Sequence, residues 1–490
     1  MDKRYWMKRV FGLLLLCATA AIPLPAQTFE TLHSFDKTDG AFPLAGLVQA
    51  TNGNLYGTTA GGGSSSTCSF GCGTIFKITP GGTVTTLYSF CSVSSCADGR
   101  NPVAPLVQAT DGNFYGTTEF EGANDNGTVF KITSSGTLTT LHSFDSTDGS
   151  QIVAGLIQGT DGNFYGTTEF GGANNSNACS NLGCGTVFKI TRGGKLTTLY
   201  NFCSQSGCAD GTEPMAGLVQ ATDGNFYGTT GNGGANSGGT VFKLAPTGAL
   251  VTLYSFCSQS GCADGGAPEG LIQATDGNFY GTARGGGNGT GDGAGTVFQI
   301  TPSGALTTLY RFCSQINCDD GQFPVAGLIQ ATDGNFYGAT SLGGTTGVGT
   351  VFKVTIGGTL TTLHSFCPQR GCTDGRSPVA LVQDTGGNFY GTTGGGGANG
   401  DGTVFSLSVG LGPFVKPQTT SGKVGASVKI LGTNLTGATS VTFNGTAATF
   451  TVVSPSLITT TVPTGATTGT VQVVTPSGTL SSNVPFRVLP

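Results

Sequence analysis

Charge, histidine and long apolar runs are scarce in this 490-residue chain, and each shortage closes a class of function. Charged residues make up 10%, against about 25% in an ordinary globular domain. Beyond residue 26 the lysines and arginines form no cluster, so the phosphate neutralisation that nucleic-acid binding needs is missing. Beyond residue 26 no segment approaches the roughly 18 consecutive apolar residues of a membrane span. Only three histidines occur, His33, His142 and His364. Each fills a slot that holds Tyr88, Tyr200, Tyr254 or Tyr310 elsewhere, so they are spread out and cannot converge on one substrate. Glycine-rich stretches such as Gly394 to Gly397 lack the Lys-Ser/Thr of a phosphate loop.

What is abundant is glycine, 85 residues, placed at fixed offsets between Val, Phe, Tyr and Leu runs. It punctuates a repeat. An Asn-Phe-Tyr-Gly core recurs with Tyr56, Tyr115, Tyr165, Tyr227, Tyr280, Tyr337 and Tyr390, a period of roughly 50 to 60 residues that falls in the range of propeller blades. Each copy holds four short runs bounded by turn residues, which predicts four antiparallel strands, a to d. In the fourth copy these are Gly217 to Ala221, Asn225 to Thr230, Thr240 to Leu244 and Ala249 to Phe256. Thr222-Asp223-Gly224 and Ala245-Pro246-Thr247-Gly248 are the tight turns. The region opens on a strand of type d, Thr28 to Phe35, and ends on one of type c, Thr403 to Leu407. A ring closes when the first strand completes the last sheet, leaving only short protected edges.

The first 26 residues read differently. Lys3, Arg4, Lys8 and Arg9 precede the apolar run Val10 to Ile22 and a Pro23-Leu24-Pro25-Ala26 exit, the layout of a secretory signal. Cys17 follows Leu16 rather than the small residue a lipoprotein signal requires. Removal of this segment takes a net +3 with it and moves the formal charge from −5 to −8.

Cysteine usage agrees with export. Fourteen of the fifteen cysteines lie beyond the signal in close pairs: Cys68 and Cys72, Cys91 and Cys96, Cys179 and Cys184, Cys203 and Cys208, Cys257 and Cys262, Cys313 and Cys318, Cys367 and Cys372. Two copies, around Asp36 to Gly40 and Asp145 to Gly149, lose both cysteines of the pair together, and no copy keeps one. Joint loss is what a local disulfide demands in an oxidising space; zinc held by two such pairs is the rival reading.

The string Gly217 to Thr230, followed by Gly239-Thr240-Val241-Phe242-Lys243, resembles the GloVer tandem repeat of bacterial exported proteins across Thr28 to Leu407. That resemblance implies an exported repeat protein, in a family whose members often carry a C-terminal anchor; this chain ends Phe486-Arg487-Val488-Leu489-Pro490, with neither apolar helix nor basic tail. After Val409 the period vanishes. Gly425 to Leu435, Val441 to Gly445, Val462-Pro463 and Phe486 to Val488 resemble an IPT/TIG immunoglobulin-like domain, which implies a spacer or adhesive module. Turn signals every 8 to 12 residues fit a sandwich on their own.

The expected fold is therefore all-β: a signal peptide at 1–26, a seven-bladed β-propeller over 27–408 closed by the N-terminal strand, a linker at 409–412, and a small immunoglobulin-like β-sandwich over 413–490. The loops joining d to a and b to c share one face and carry all seven cysteine pairs. Variable loops on a rigid scaffold are where binding is placed. On that face Asp39, Asp98, Asp148, Asp210, Asp264, Asp320 and Asp374 precede glycine and read as turn residues. Gln49, Gln108, Gln158, Gln220, Gln273, Gln330 and Gln383 recur on strand a and read as hydrogen-bonded across blades. Glu119, Glu121 and Glu169 are the glutamates of the b–c loops; as carboxylates in adjacent blades they are the nearest thing to a glycosidase pair. No catalytic residue, cofactor or metal ligand is expected. The expected role is a monomeric binding or adhesion module for a glycan or protein, secreted or at the cell surface. A propeller lyase or hydrolase acting on polysaccharide or cyclic peptide, and a structural surface-layer component, are the alternatives.

Overall fold

The computed structural model describes residues 27–287 and 293–489, so the expected signal peptide lies outside the described residues. The chain is all-β apart from single 3-10 turns. Seven antiparallel sheets follow one another, each with strand order a-b-c-d, the sixth with its a strand in two pieces. The first comprises Val48–Gln49, Leu55–Thr59, Thr74–Ile78 and Val84–Ser89. In the last, Arg376–Gln383, Phe389–Gly395 and Thr403–Ser408 are joined by the N-terminal strand Thr28–Ser34, paired from Thr28 with Ser408 to Ser34 with Thr403.

Two aromatic contacts, repeated at every junction, explain the recurring Phe-Tyr-Gly and Val-Phe-Lys strings. The strand-b tyrosine of one sheet stacks on the strand-b phenylalanine of the next: Tyr56 on Phe114 at 4.1 Å, Tyr115 on Phe164 at 4.0 Å, Tyr337 on Phe389 at 4.3 Å. At the last junction Tyr390 meets Leu55 of the first sheet in a shared core. The phenylalanine ending strand d packs edge-on against the strand-c phenylalanine of the following sheet, as Phe35 does on Phe76 at 5.1 Å and Phe366 on Phe405 at 5.3 Å. Such pairs add about 0.5–1.5 kcal/mol each beyond the area they bury. The glycine after each tyrosine makes room for them. A Cβ on Gly57 would stand 2.6 Å from the Phe76 ring, and one on Gly228 2.6 Å from Phe242.

Strand a is shorter than the alternation predicts. In the fourth copy the ladder holds only Val219–Gln220, not Gly217 to Ala221. Three residues separate Pro214 from Leu218, and the surplus residue breaks the register. Where two residues separate proline from leucine, as between Pro268 and Leu271, strand a runs in full with a bulge, over Gly266–Gln273 and Arg376–Gln383.

The expected linker is packed rather than free, with Val409 and Leu411 against the core of the seventh sheet. Beyond it two four-stranded sheets face each other, one of Lys416–Pro417, Ser427–Leu431, Leu457–Thr461 and Phe450–Ser454, the other of Thr446–Ala447, Ser440–Phe443, Val471–Thr475 and Gly478–Ser481. Alternate residues of Val471–Thr475 are buried, and Val428, Ile430, Val441, Phe443, Ile458 and Phe486 fill the space between the sheets.

Candidate functional site

Most of the invariant polar residues are used by the scaffold itself. The seven glutamines form an unbroken circuit: each side-chain Oε1 accepts from a backbone N–H in the a–b turn of the preceding sheet, Thr51 to Gln108 at 2.9 Å and onward to Thr385 to Gln49 at 3.0 Å. Several donate Nε2 back to their own turn, as Gln220 does to Gly224 O at 3.2 Å. In six of the seven both ends of the amide are thus occupied by backbone groups that would otherwise lack partners, and Gln49 Nε2 donates instead to Thr385 Oγ1 at 3.3 Å.

The Asp-Gly aspartates do more than turn the chain. Asp210, 0% exposed, accepts from Tyr200 Oη at 2.8 Å, from Ser204 N at 2.9 Å and Oγ at 3.0 Å, and from Gln205 N at 3.2 Å. Asp98, Asp264 and Asp320 repeat the arrangement with Tyr88, Tyr254 and Tyr310. Burial, then the neighbouring carboxylate, pushes Tyr88, Tyr200 and Tyr310 up to about 12. Where the slot holds histidine, Nε2 meets the aspartate instead: His33 with Asp39 at 2.6 Å, His142 with Asp148 at 2.8 Å, His364 with Asp374 at 3.0 Å. Burial lowers the His364 pKa although Asp374 opposes it. Tyrosine and histidine interchange here because both place one polar ring atom on the same carboxylate.

Disulfides Cys91–Cys96, Cys203–Cys208, Cys257–Cys262, Cys313–Cys318 and Cys367–Cys372 close the d–a loops beside Asp98, Asp210, Asp264, Asp320 and Asp374, and Cys68–Cys72 and Cys179–Cys184 close b–c loops. At two places three sulfurs gather within 4.8 Å, Cys68, Cys72 and Cys91, and Cys179, Cys184 and Cys203. All six are in disulfides, and such sulfurs offer no thiolate for zinc.

What remains on the loop face are residues that differ from copy to copy. At the start of strand a, Phe42, Asn101, Gln151, Glu213, Ala267, Phe323 and Ser377 all adopt left-handed backbone, with φ between 49° and 60°. Each N–H donates to the preceding sheet, Phe42 to Asp401 O at 2.7 Å and Glu213 to Cys184 O at 3.1 Å. Non-glycine residues in this region cost about 1 kcal/mol or more each, and such strain collects at ligand-facing positions.

Two groups of side chains stand out among them. Phe42 and Phe70 face each other edge-on at 6.4 Å, with Phe70 67% exposed, and with Leu44, Arg100 and Asn101 they line a groove of about 420 Å³. Arg100 lies over Phe120 at 5.2 Å and pairs with Glu121 at 2.9 Å; Asn101 donates to Glu119 at 2.7 Å. Beyond Asn101 runs an arc of carboxylates. Glu169 is pushed up to about 7, first by burial, then by Glu213 and Glu119 in the sheets on either side. Burial also raises Glu119. Glu269, in the fifth sheet, is raised by burial to about 7 against the pull of Arg284.

Glu119 and Glu169 are thereby brought into one electrostatic neighbourhood, whereas Glu121 is drawn off to Arg100. Reading glutamates only in the b–c loops missed Glu213 and Glu269, which belong to the d–a segments. The signal that finds Glu213 is positional: it shares a register with Phe42, Asn101 and Gln151, where the copies disagree most.

Seven like sheets carried by a 50-to-60-residue period, with stapled loops on one face, define a disulfide-bonded β-repeat protein of propeller-like build. The chain belongs to the Gloeobacter/Verrucomicrobia repeat family, whose model matches residues 21–203, 159–315 and 267–482. No curated protein matches this chain in sequence. Among solved structures, a fungal alcohol oxidase of the AA5 family, in complex with copper, is similar at 12% identity and a TM-score of 0.51, covering 94% of this chain and 99% of its own. The Pseudomonas aeruginosa periplasmic gluconolactonase PpgL is similar at 16% identity and a TM-score of 0.44, covering 72% of this chain and 99% of its own. At 12% identity the likeness to the oxidase is one of fold.

Proposed function

We propose that residues 27–408 form a closed seven-bladed propeller, completed by the N-terminal strand, that binds a glycan through its looped face, and that the IPT/TIG-like sandwich, residues 413–490, serves as its base. Disulfides at every stapled loop suit an oxidising compartment, and among the described residues no helix is long and apolar enough to cross a membrane. The observation that carries the reading is the groove between Phe42 and Phe70. Exposed aromatic faces beside an amide, a guanidinium and carboxylates, Asn101, Arg100 and Glu119, offer a sugar ring apolar contact and directional hydrogen bonds together. Residues 27–490 applied to a glycan array test it, with Phe42→Ala/Phe70→Ala as the control. Binding that the double variant loses while its melting temperature holds supports the reading; an array with no hits overturns it.

Glu169 favours a second reading, polysaccharide cleavage. A carboxyl held half-protonated near neutrality, with carboxylates on both sides, has the property a general acid needs. Release of reducing ends or unsaturated products by the native chain, abolished in Glu169→Gln, decides for it.

A further inference from the structure

The five residues that lead into the sandwich bridge the tight-turn face of the ring. Phe414 N donates to Thr385 O in the seventh sheet at 3.0 Å, while Gln418 Nε2 donates to Gln108 O at 3.2 Å and Ala109 O at 3.0 Å in the second. The segment therefore passes the first sheet on a chord. Ser456 meets the turn of that sheet through Thr51 O at 3.0 Å, and Lys429 meets Thr110 O at 3.0 Å. The sandwich thus sits over the a–b turns of neighbouring blades, and the a–b turns belong to the innermost strands.

Side chains alternate along extended chain. Val415 and Pro417 are buried, Val415 in the sandwich core, so Phe414, Lys416 and Gln418 face the ring. Phe414 is buried and Gln418 bonded, but Lys416 is exposed and, among the described residues, its ammonium has neither hydrogen bond nor ion pair. A side chain that points at a docked surface and still keeps water must project into an opening in that surface, and here the opening is the propeller axis. Desolvation by the protein around it lowers the Lys416 pKa, with no carboxylate countering.

Above Lys416 the axis is lined by the inner edges of the a strands. Adjacent blades meet there almost backbone to backbone: a Cβ on Gly46 stands 3.1 Å from Ala380, the Gly217 position is 3.2 Å from Gly155 O, and the Gly270 position 3.3 Å from the Gly327 Cα. These residues carry at most a methyl group. At the far mouth the charges are divided, with Glu119, Glu169 and Glu213 on one side and the exposed Arg284 and Arg376 on the other, where Glu269 lies under the pull of Arg284.

We propose that the axial channel is a blind pocket, open at the looped face and floored by the sandwich, in which the Lys416 ammonium binds a carboxylate, either free as a small organic acid or carried by an acidic sugar. An ammonium in a protein-walled column of water lacks a counter-ion, and a carboxylate supplies the charge-assisted hydrogen bonds that this chain does not. The inference does not depend on glycan binding at the groove.

Amine acetylation with an N-hydroxysuccinimide ester, followed by peptide mass mapping, tests it on residues 27–490. Reactions run with acetate, glucuronate or methyl glucoside at matched ionic strength. Acetate or glucuronate should slow modification of Lys416 by at least about fivefold, and methyl glucoside should not. Protection by both assigns the carboxylate alone as ligand; protection by glucuronate only assigns an acidic sugar. The anion-dependent rise in melting temperature should vanish in Lys416→Met and persist in Lys416→Arg. No protection by either anion, or an undiminished rise in Lys416→Met, overturns the proposal.

Discussion

Replacing Glu169 by glutamine should stabilise the protein above neutral pH and leave it unchanged near pH 4.5. The ordinary glutamate value is 4.5, and here it is raised to about 7. The folded state therefore disfavours the ionised carboxyl, and the sign follows from linkage. Below pH 4.5 the group is protonated in both states and contributes nothing. Between pH 4.5 and 7 the unfolded chain releases the proton more readily, so stability falls as pH rises. Above pH 7 the full penalty persists. In a dry site the separation corresponds to about 3 kcal/mol. Glu169 is only partly buried and water screens its neighbours, so about 1–2 kcal/mol is the expected gain from Glu169→Gln at pH 8. For a ring of this length that is roughly 2 °C in melting temperature. Calorimetry at pH 4.5 and pH 8 reads both ends of the window. Glu213→Gln, which removes the neighbouring carboxylate with the larger effect on Glu169, should recover part of the gain. An equal shift at both pH values, or none at pH 8, refutes the carboxylate arc.

Two further predictions concern the scaffold. Deleting residues 27–35 removes the strand paired with Thr403–Ser408, the Phe29 ring stacked 3.8 Å from His364, and the fully buried Phe35. Loss of Phe35 alone costs about 3–5 kcal/mol, and an unchanged urea midpoint would show that the ring does not depend on its first strand. Asp210→Asn should destabilise more than Cys203→Ser/Cys208→Ser. The aspartate accepts four hydrogen bonds in a fully buried position, and hydrogen bonds to a charged group contribute about 1.5–3 kcal/mol each, whereas a disulfide closing so short a loop adds roughly 2 kcal/mol. Chemical denaturation that ranks the two variants in the opposite order refutes the anchoring role of Asp210.

The strand pattern was legible because the repeat supplies its own comparison. Seven copies reveal that Tyr and Phe alternate with Gly, and that cysteines are gained and lost in pairs, without any second sequence. The limits were equally physical. The contraction of strand a to Val219–Gln220 turns on one surplus residue after Pro214, which no alternation of apolar residues reports. The aspartates were read as turn formers because Asp-Gly is a sufficient local explanation; their bonds to Tyr200 or His364 span 10 residues and exist only once the loop has closed. Glu213 and Glu119 are distant in sequence, and their joint effect on Glu169 depends on the packing of neighbouring sheets face to face.

A ring of near-identical sheets restricts where recognition can occur. Residues common to all copies, such as the Gln49 to Gln383 circuit and the Phe76-type rings over glycine, are consumed by contacts between neighbouring sheets. They hold the ring and present the same surface at every position. A ligand that binds in one orientation must find a place where the copies differ, and the differences are confined to the left-handed residues and the loops beside them. Phe42 with Phe70 and the Glu119, Glu169 and Glu213 arc lie there on adjacent blades, numbers one to four around the ring, leaving Arg284 and Arg376 to the opposite side. Lys416 comes from outside the repeat altogether, and as a single chain segment crossing the axis it breaks the remaining symmetry. The scaffold can thus tolerate change at all of these positions without loss of its inter-sheet contacts, which is why substitutions there should separate binding from stability more cleanly than substitutions anywhere in the repeated core.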